Sequence, residues 1–235
     1  MYEKDFTVEY VDVDVNNKLS NFGFFKYLQE IACLHADACE YGLNSVYKTR
    51  VAWILLDWKL NIFSRPSWNS SIHIKTWPSQ MDFVSCYRDF EITGMSGEII
   101  ATATSRWVLV NIDSKHMSKI APEVIEAFGA CQESACEDKI EKIKEPETYE
   151  KSLEYTIMKR DIDTNRHLNN LNYILLASEL LPDNTYYSKI DVMYKKQCFL
   201  GDSVLLKSHM DNGECVVSVK SADDSVLHAI VRFKV

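Results

Sequence analysis

Residues 12–30 read DVDVNNKLSNFGFFKYLQE, and residues 161–179 read DIDTNRHLNNLNYILLASE. At a constant offset of 149 and without gaps, Asp12, Asp14, Asn16, Leu19, Asn21 and Glu30 meet identical residues in Asp161, Asp163, Asn165, Leu168, Asn170 and Glu179. Self-similarity at a fixed spacing is the mark of a repeated structural unit. A chain of 235 residues has room for two such units as small domains.

Each copy opens in the same way. Asp-x-Asp-x-Asn alternates polar residues with Val, Ile or Thr, the period of a strand with one polar face. Asn21 and Asn170 then stand where a helix cap belongs. In copy one the helical stripe is Phe24, Phe25, Leu28, Ile31, Ala32 and His35; in copy two it is Tyr173, Ile174, Ala177, Leu180 and Leu181, ended by Pro182. Strand-like segments follow: 52–63, 71–77, 83–93 and 99–112 in copy one, then 186–197, 203–210, 214–221 and 226–235 in copy two. One helix followed by an antiparallel sheet, twice over, is an α+β pattern and not a doubly wound sheet. Residues 131–151 mix Glu and Lys around Pro146 and read as a solvated helix or linker. The expected organisation is thus an N-terminal repeat over 1–130, a charged linker over 131–151 and a C-terminal repeat over 152–235.

Composition narrows the function. A net charge of −8 disfavours nucleic-acid binding. No apolar run reaches the roughly 18–20 residues of a membrane span, and the charged start Met1-Tyr2-Glu3-Lys4-Asp5 lacks a secretory apolar stretch. We therefore expect no membrane insertion and a cytoplasmic location. Seven cysteines, at 33, 39, 86, 131, 136, 198 and 215, contain no CxxC pair and fit reduced, mostly buried thiols. GxSxG, HExxH and GxGxxG are absent, which disfavours nucleotide cofactors and α/β-hydrolase chemistry; no cofactor or metal is expected.

The copies differ where chemistry is possible. Copy one has Lys18 where copy two has His167, and Ser64 follows Phe63 where Cys198 follows Gln197. Asp163, Asn165, His167, Gln197 and Cys198 therefore form a titratable group only partly repeated in the first half. Asp163 and Asn165 also suit the capping of a turn, and Cys198 an inert core thiol.

At these residues the chain resembles the plant and bacterial acyl-acyl carrier protein thioesterases. Asp161-x-Asp163-x-Asn165-x-His167-Leu168-Asn169-Asn170-x-x-Tyr173 is similar to that family's active-site motif, and Tyr194-Lys195-Lys196-Gln197-Cys198 to its second. Gln29-Glu30-x-Ala32, Trp77-Pro78, Arg88-Asp89-Phe90 and Ala103-Thr104-Ser105-Arg106-Trp107-Val108 resemble its N-terminal half. The resemblance implies a tandem double hotdog fold, each repeat a long helix wrapped by an antiparallel β-sheet. It implies hydrolysis of fatty acyl thioesters on an acyl carrier protein, with free fatty acid released.

Carried over, Asn165 would orient or polarise the thioester carbonyl, His167 would serve as base or hydrogen-bond donor, and Asp163 would position the attacking water or orient its neighbours. Cys198 matches the cysteine once cast as the nucleophile. A glutamate commonly precedes that cysteine; Gln197 cannot accept a proton but can hold a water. Direct attack by activated water is the mechanism expected, with backbone N–H groups of the helix near Asn170 facing the oxyanion. The first repeat would bind the acyl chain without a full catalytic set, some of Trp53, Trp58, Trp68, Trp77 and Trp107 lining the tunnel and the rest packing the core. Lys115, His116, Lys119, Lys195 and Lys196 would steer the acidic carrier. The assembly expected is a monomer or homodimer. Rival readings are an acyl-CoA thioesterase or enoyl-thioester hydratase on the same fold, or a non-catalytic acyl-thioester binding module.

Overall fold

The computed structural model describes residues 1–129, 132–136, 139–183 and 185–235. The expected 130/131 boundary, Cys131 and Glu137 lie outside the described residues. The chain divides into two compact units, Met1–Ile140 and Glu141–Val235.

In the first unit, β1 (Tyr2–Thr7) leads into α1 (Asn21–Ala38), and a short α2 (Val46–Thr49) precedes the long strands. These are β2 (Val51–Ile62), β3 (Ser71–Met81), β4 (Cys86–Gly94) and β5 (Ile99–Asn111). A two-residue β6 (Met117–Ser118) and α3 (Pro122–Phe128) close the unit. The strands run antiparallel in the order β1-β3-β4-β5-β2, with β6 beside β5. All six stripe residues of α1 are buried, as the 3.6-residue period requires of a helix packed on one face.

The second unit repeats this order. It contains β7 (Lys151–Thr156), α4 (Asn170–Ser178), β8 (Lys189–Tyr194), β9 (Ser203–Asp211), β10 (Glu214–Ser221) and β11 (Leu227–Lys234). Its antiparallel order is β8-β11-β10-β9-β7. Asp57 on β2 faces Arg106 on β5, and Asp191 on β8 faces Arg232 on β11; in both pairs the arginine Nε donates to aspartate Oδ2, at 2.6 and 2.9 Å. An Asp–Arg pair thus ties the corresponding strands of each unit, β2 to β5 and β8 to β11.

Several expectations are corrected. The Asp-x-Asp-x-Asn segments are tight turns, each closed by one isolated bridge, Val13 to Leu19 and Ile162 to Leu168. The strands of that region are β1 and β7, just upstream. Helix caps fall one residue earlier than Asn21 and Asn170: Ser20 Oγ accepts from Gly23 N–H and Asn169 Oδ1 from Leu171 N–H. The second helix is not long. It has 9 residues against 18 in α1, so Leu180 and Leu181 lie beyond its end. Residues 132–136 and 139–150 hold no helix or strand, yet Ile143 is buried against Met193, Val216 and Ile230. That contact anchors the part around Ile143 to the second unit, while Ser134 and Ala135 are held by Asp89 of the first; neither is a fully solvated linker. Trp68 is exposed, its ring edge-on to Tyr10 at 6.1 Å, whereas Trp58 and Trp77 are buried.

Candidate active site

The repeated turn has one frame in both copies. Asp14 Oδ1 accepts from the backbone N–H of Asn16 and of Lys18, each at 2.9 Å. Asp163 Oδ1 accepts likewise from Asn165 N–H at 2.8 Å and His167 N–H at 3.3 Å. Asn17 and Arg166, equivalent residues, take positive φ of 57° and 63°. Gly23 lies so near the turn that an added Cβ would meet Asp12 O at 2.7 Å. The equivalent Asn172 instead donates its amide to Asp161 O at 3.0 Å. Asp163 thus caps its turn, so part of its side chain is a structural device common to both copies.

On that frame the side chain at 167 stands apart. His167 is half-buried, its ring edge-on to Phe199 with centroids 5.0 Å apart. Among the described residues, neither imidazole nitrogen has a hydrogen-bond partner. An imidazole so placed can donate to or accept from a bound substrate. Asn165 is exposed beside it.

The second segment meets the turn through backbone: Leu168 N–H donates to Cys198 O at 2.9 Å. In the first unit Leu19 N–H donates to Pro66 O at 2.8 Å. Cys198 is therefore equivalent to Pro66, and Gln197 to Arg65; the sequence match of Cys198 to Ser64 was two residues out. The shorter helix connection of copy two changes the offset there, and sequence gives no anchor across it. Arg65 reaches back to Leu19 O and Asn21 Oδ1, both at 2.8 Å, whereas Gln197 is exposed.

Cys198 is fully buried, and burial pushes its thiol up to about 11, with Asp202 reinforcing and the Tyr173 hydroxyl opposing the shift. At neutral pH it is a protonated core thiol, a poor nucleophile. Tyr173 packs edge-on against Tyr194 at 5.5 Å, and Tyr194 OH donates to Asn170 O at 2.9 Å. At the start of α4, Leu171 N–H is taken by Asn169 Oδ1 and Asn172 N–H by Asn169 O. Those two amides are not open to an oxyanion, which leaves Asn170 N–H for the expected donor role of this helix end. The fold thus brings together the turn, His167 and the Cys198 segment, with Cys198 facing inward and Gln197 outward.

Because the aspartate frame is present in both copies, Asp14→Ala and Asp163→Ala should each cost about 1–2 kcal/mol of stability through two lost hydrogen bonds. Thermal melts of both variants check this; an unchanged melting temperature in either would remove the capping role.

Residues 1–128 match the acyl-ACP thioesterase N-terminal domain, and residues 135–232 the acyl-ACP thioesterase C-terminal domain. The chain belongs to the acyl-ACP thioesterase family. Among curated members, it is 26% identical over 226 residues to oleoyl-acyl carrier protein thioesterase 2, chloroplastic, of Arabidopsis thaliana, covering 86% of this chain and 61% of that protein. It is 27% identical over 222 residues to the chloroplastic palmitoyl-acyl carrier protein thioesterase of Gossypium hirsutum, covering 87% of this chain and 54% of that one. The chain thus spans less than two thirds of the length of these plant acyl-ACP thioesterases. A crystal structure of an acyl-ACP thioesterase from Bacteroides thetaiotaomicron superposes with a TM-score of 0.89 at 21% identity, over 99% of this chain and 96% of that chain. The 12:0-ACP thioesterase from Umbellularia californica gives 0.87 at 21%, with the same coverage. The shared fold is the hotdog arrangement of helix and antiparallel sheet, present in each unit.

Two residues of consequence carry no signal of their role in the sequence. Asn169 caps α4. His228 grips the second segment, its carbonyl accepting from Lys195 and Lys196 N–H while its Nδ1 meets Lys196 O at 3.1 Å. His228 lies 32 positions from Lys196, so only the strand pairing reveals the link.

Proposed function

We propose that this chain hydrolyses the thioester of fatty acyl-acyl carrier protein and releases free fatty acid. Membership of the acyl-ACP thioesterase family across both units carries the reading. The geometry agrees: an imidazole with unengaged nitrogens stands on a turn that another side chain holds. His167 takes a proton from water as the water oxygen attacks the thioester carbonyl carbon. Asn165 donates its amide to the carbonyl oxygen. The tetrahedral intermediate then collapses, the carbon–sulfur bond breaks, and the imidazolium returns the proton to the leaving thiolate. Asp163 sets the position of His167 through its backbone, and Gln197 can hold the water without taking its proton. Cys198 stays a bystander in the core.

Division of labour follows the repeat. The second unit carries the reacting groups, while the first, with Lys18 in place of His167, binds the acyl chain. The deciding assay is thiol release from a panel of acyl-carrier proteins by wild type, His167→Ala and Cys198→Ala. A trapped acyl-enzyme on Cys198, with activity lost in both variants, would restore the cysteine as nucleophile. Saturable acyl binding without turnover in the wild type would make the protein a binding module.

Lys115, His116 and Lys119 in the first unit, and Lys195 and Lys196 in the second, are exposed. They are the groups by which an acidic carrier would be steered. Lys115→Glu with Lys119→Glu should raise KM for acyl-carrier substrates by about tenfold and leave acyl-CoA unaffected. Equal losses on both substrates would end the docking idea.

A further inference from the structure

The first unit buries an arginine that no carboxylate among the described residues neutralises. Arg88 on β4 is only 5% exposed, and a buried cation is expected to pair with an anion. Among the described residues its bonds run from Nη1 alone, to His35 Nδ1 at 2.8 Å and Thr76 Oγ1 at 3.1 Å. Asp89, next along the strand, accepts from Ser79 and Ser134 hydroxyls and from Ala135 N–H, on the opposite face.

Arginine has only donors, so His35 Nδ1 must be the acceptor and the ring proton sits on Nε2. Burial, with Arg88 beside it, holds the His35 imidazole neutral, its pKa lowered to about 3. His35 therefore presents an N–H at Nε2, and no described residue accepts it. Trp53 Nε1 is a further buried N–H without a partner among the described residues. These groups surround one ring. From the Phe128 centroid, the His35 ring lies at 5.4 Å, the Trp53 ring at 5.8 Å and the Arg88 guanidinium carbon at 5.5 Å. The cluster is rich in donors, poor in acceptors and positively charged. Its complement is a group with acceptors only and a negative charge. Leu109, Ile120, Val124 and Met81 pack against the same cluster and suit an alkyl chain.

We propose that Arg88, His35 and Trp53 form a carboxylate-binding site in the first unit that takes a free fatty acid, with Phe128 as the ring its alkyl chain displaces or lies against. The choice of a fatty acid rests on the thioesterase reading; the carboxylate chemistry does not. A carboxylate accepts two parallel N–H bonds from a guanidinium, which no neutral lipid group reproduces.

Isothermal titration with dodecanoate, dodecanol and monomethyl dodecanedioate tests the site, alongside turnover of acyl-carrier substrates by the same preparation. Wild type should bind dodecanoate at least about tenfold more tightly than dodecanol. Arg88→Gln should remove that preference, Trp53→Phe should weaken dodecanoate binding about threefold, and His167→Ala should leave it intact. If Arg88→Gln fails to fold by circular dichroism, Trp53→Phe decides. No dodecanoate binding, equal binding of dodecanol, or unchanged affinity in the folded variants overturns the site. Much tighter binding of monomethyl dodecanedioate overturns the free fatty acid and assigns the site to a distal carboxylate on the acyl chain. Turnover without dodecanoate binding defeats only this inference; binding without turnover defeats only the thioesterase reading.

Discussion

His167→Ala lowers kcat on acyl-carrier thioesters by about 10²- to 10⁴-fold, the range that a positioned general base supplies, with the melting temperature almost unmoved. The separation follows from the turn. What residue 167 contributes to the frame is its backbone N–H to Asp163 Oδ1, and alanine keeps that. The imidazole itself touches Phe199 and is otherwise unengaged among the described residues. Cys198→Ala should show the opposite profile. Activity stays within about threefold, because a protonated buried thiol has little nucleophilic power, while stability falls by about 1 kcal/mol for the lost packing. Thiol-release kinetics beside calorimetry read both effects. His167→Ala retaining wild-type kcat would remove the imidazole from the mechanism.

Trp58→Ala destabilises the first unit by about 3–5 kcal/mol. Its side chain is fully buried, with rings of Phe25, Phe90 and Trp107 at 5.6, 5.1 and 6.5 Å. A void that large is not refilled by small shifts of close-packed neighbours. Trp58→Phe should cost far less, about 1 kcal/mol, since it also deletes a buried indole N–H that has no partner among the described residues. For a chain of this size, each kcal/mol moves the melting temperature by about 2–4 °C. Scanning calorimetry that placed the two variants at the same temperature would show that the ring volume is not what the core needs.

The duplication was legible because the turn needs particular residues at particular places. Asp at the first position caps, Asn at the third and Leu at the last close the loop, and these recur at one offset. The same feature misled the strand reading. Residues two apart alternate along a strand, but they are also the spacing at which an aspartate reaches the N–H of its second neighbour, as Asp163 does with Asn165. The apolar stripe of α1 and the long strands β2 to β5 were visible from period alone. β1 and β7 were not, since most of their residues are exposed and no face alternates. Cys198 was paired with Ser64 because the connection between helix and sheet differs in length between the copies. The site's candidates were readable as types, but the inward thiol and outward amide of Cys198 and Gln197 depend on how the loop folds against β11. Arg88 stands out in sequence only as part of a family pattern; that no described carboxylate pairs with it is visible only once His35, 53 residues away, is brought beside it.

The turn frame bears on how such a chain diverges after duplication. The carboxylate that keeps the loop in shape, Asp14 in one copy and Asp163 in the other, is not the group proposed to move protons. Losing or changing the residue four positions on leaves the loop's hydrogen bonds in place, as Lys18 demonstrates beside His167. One copy is therefore free to drift in reactivity while its fold is still under the same constraint as its twin. An asymmetric, single-site protein can arise in this way from two equal halves, with no intermediate that has to survive a broken loop.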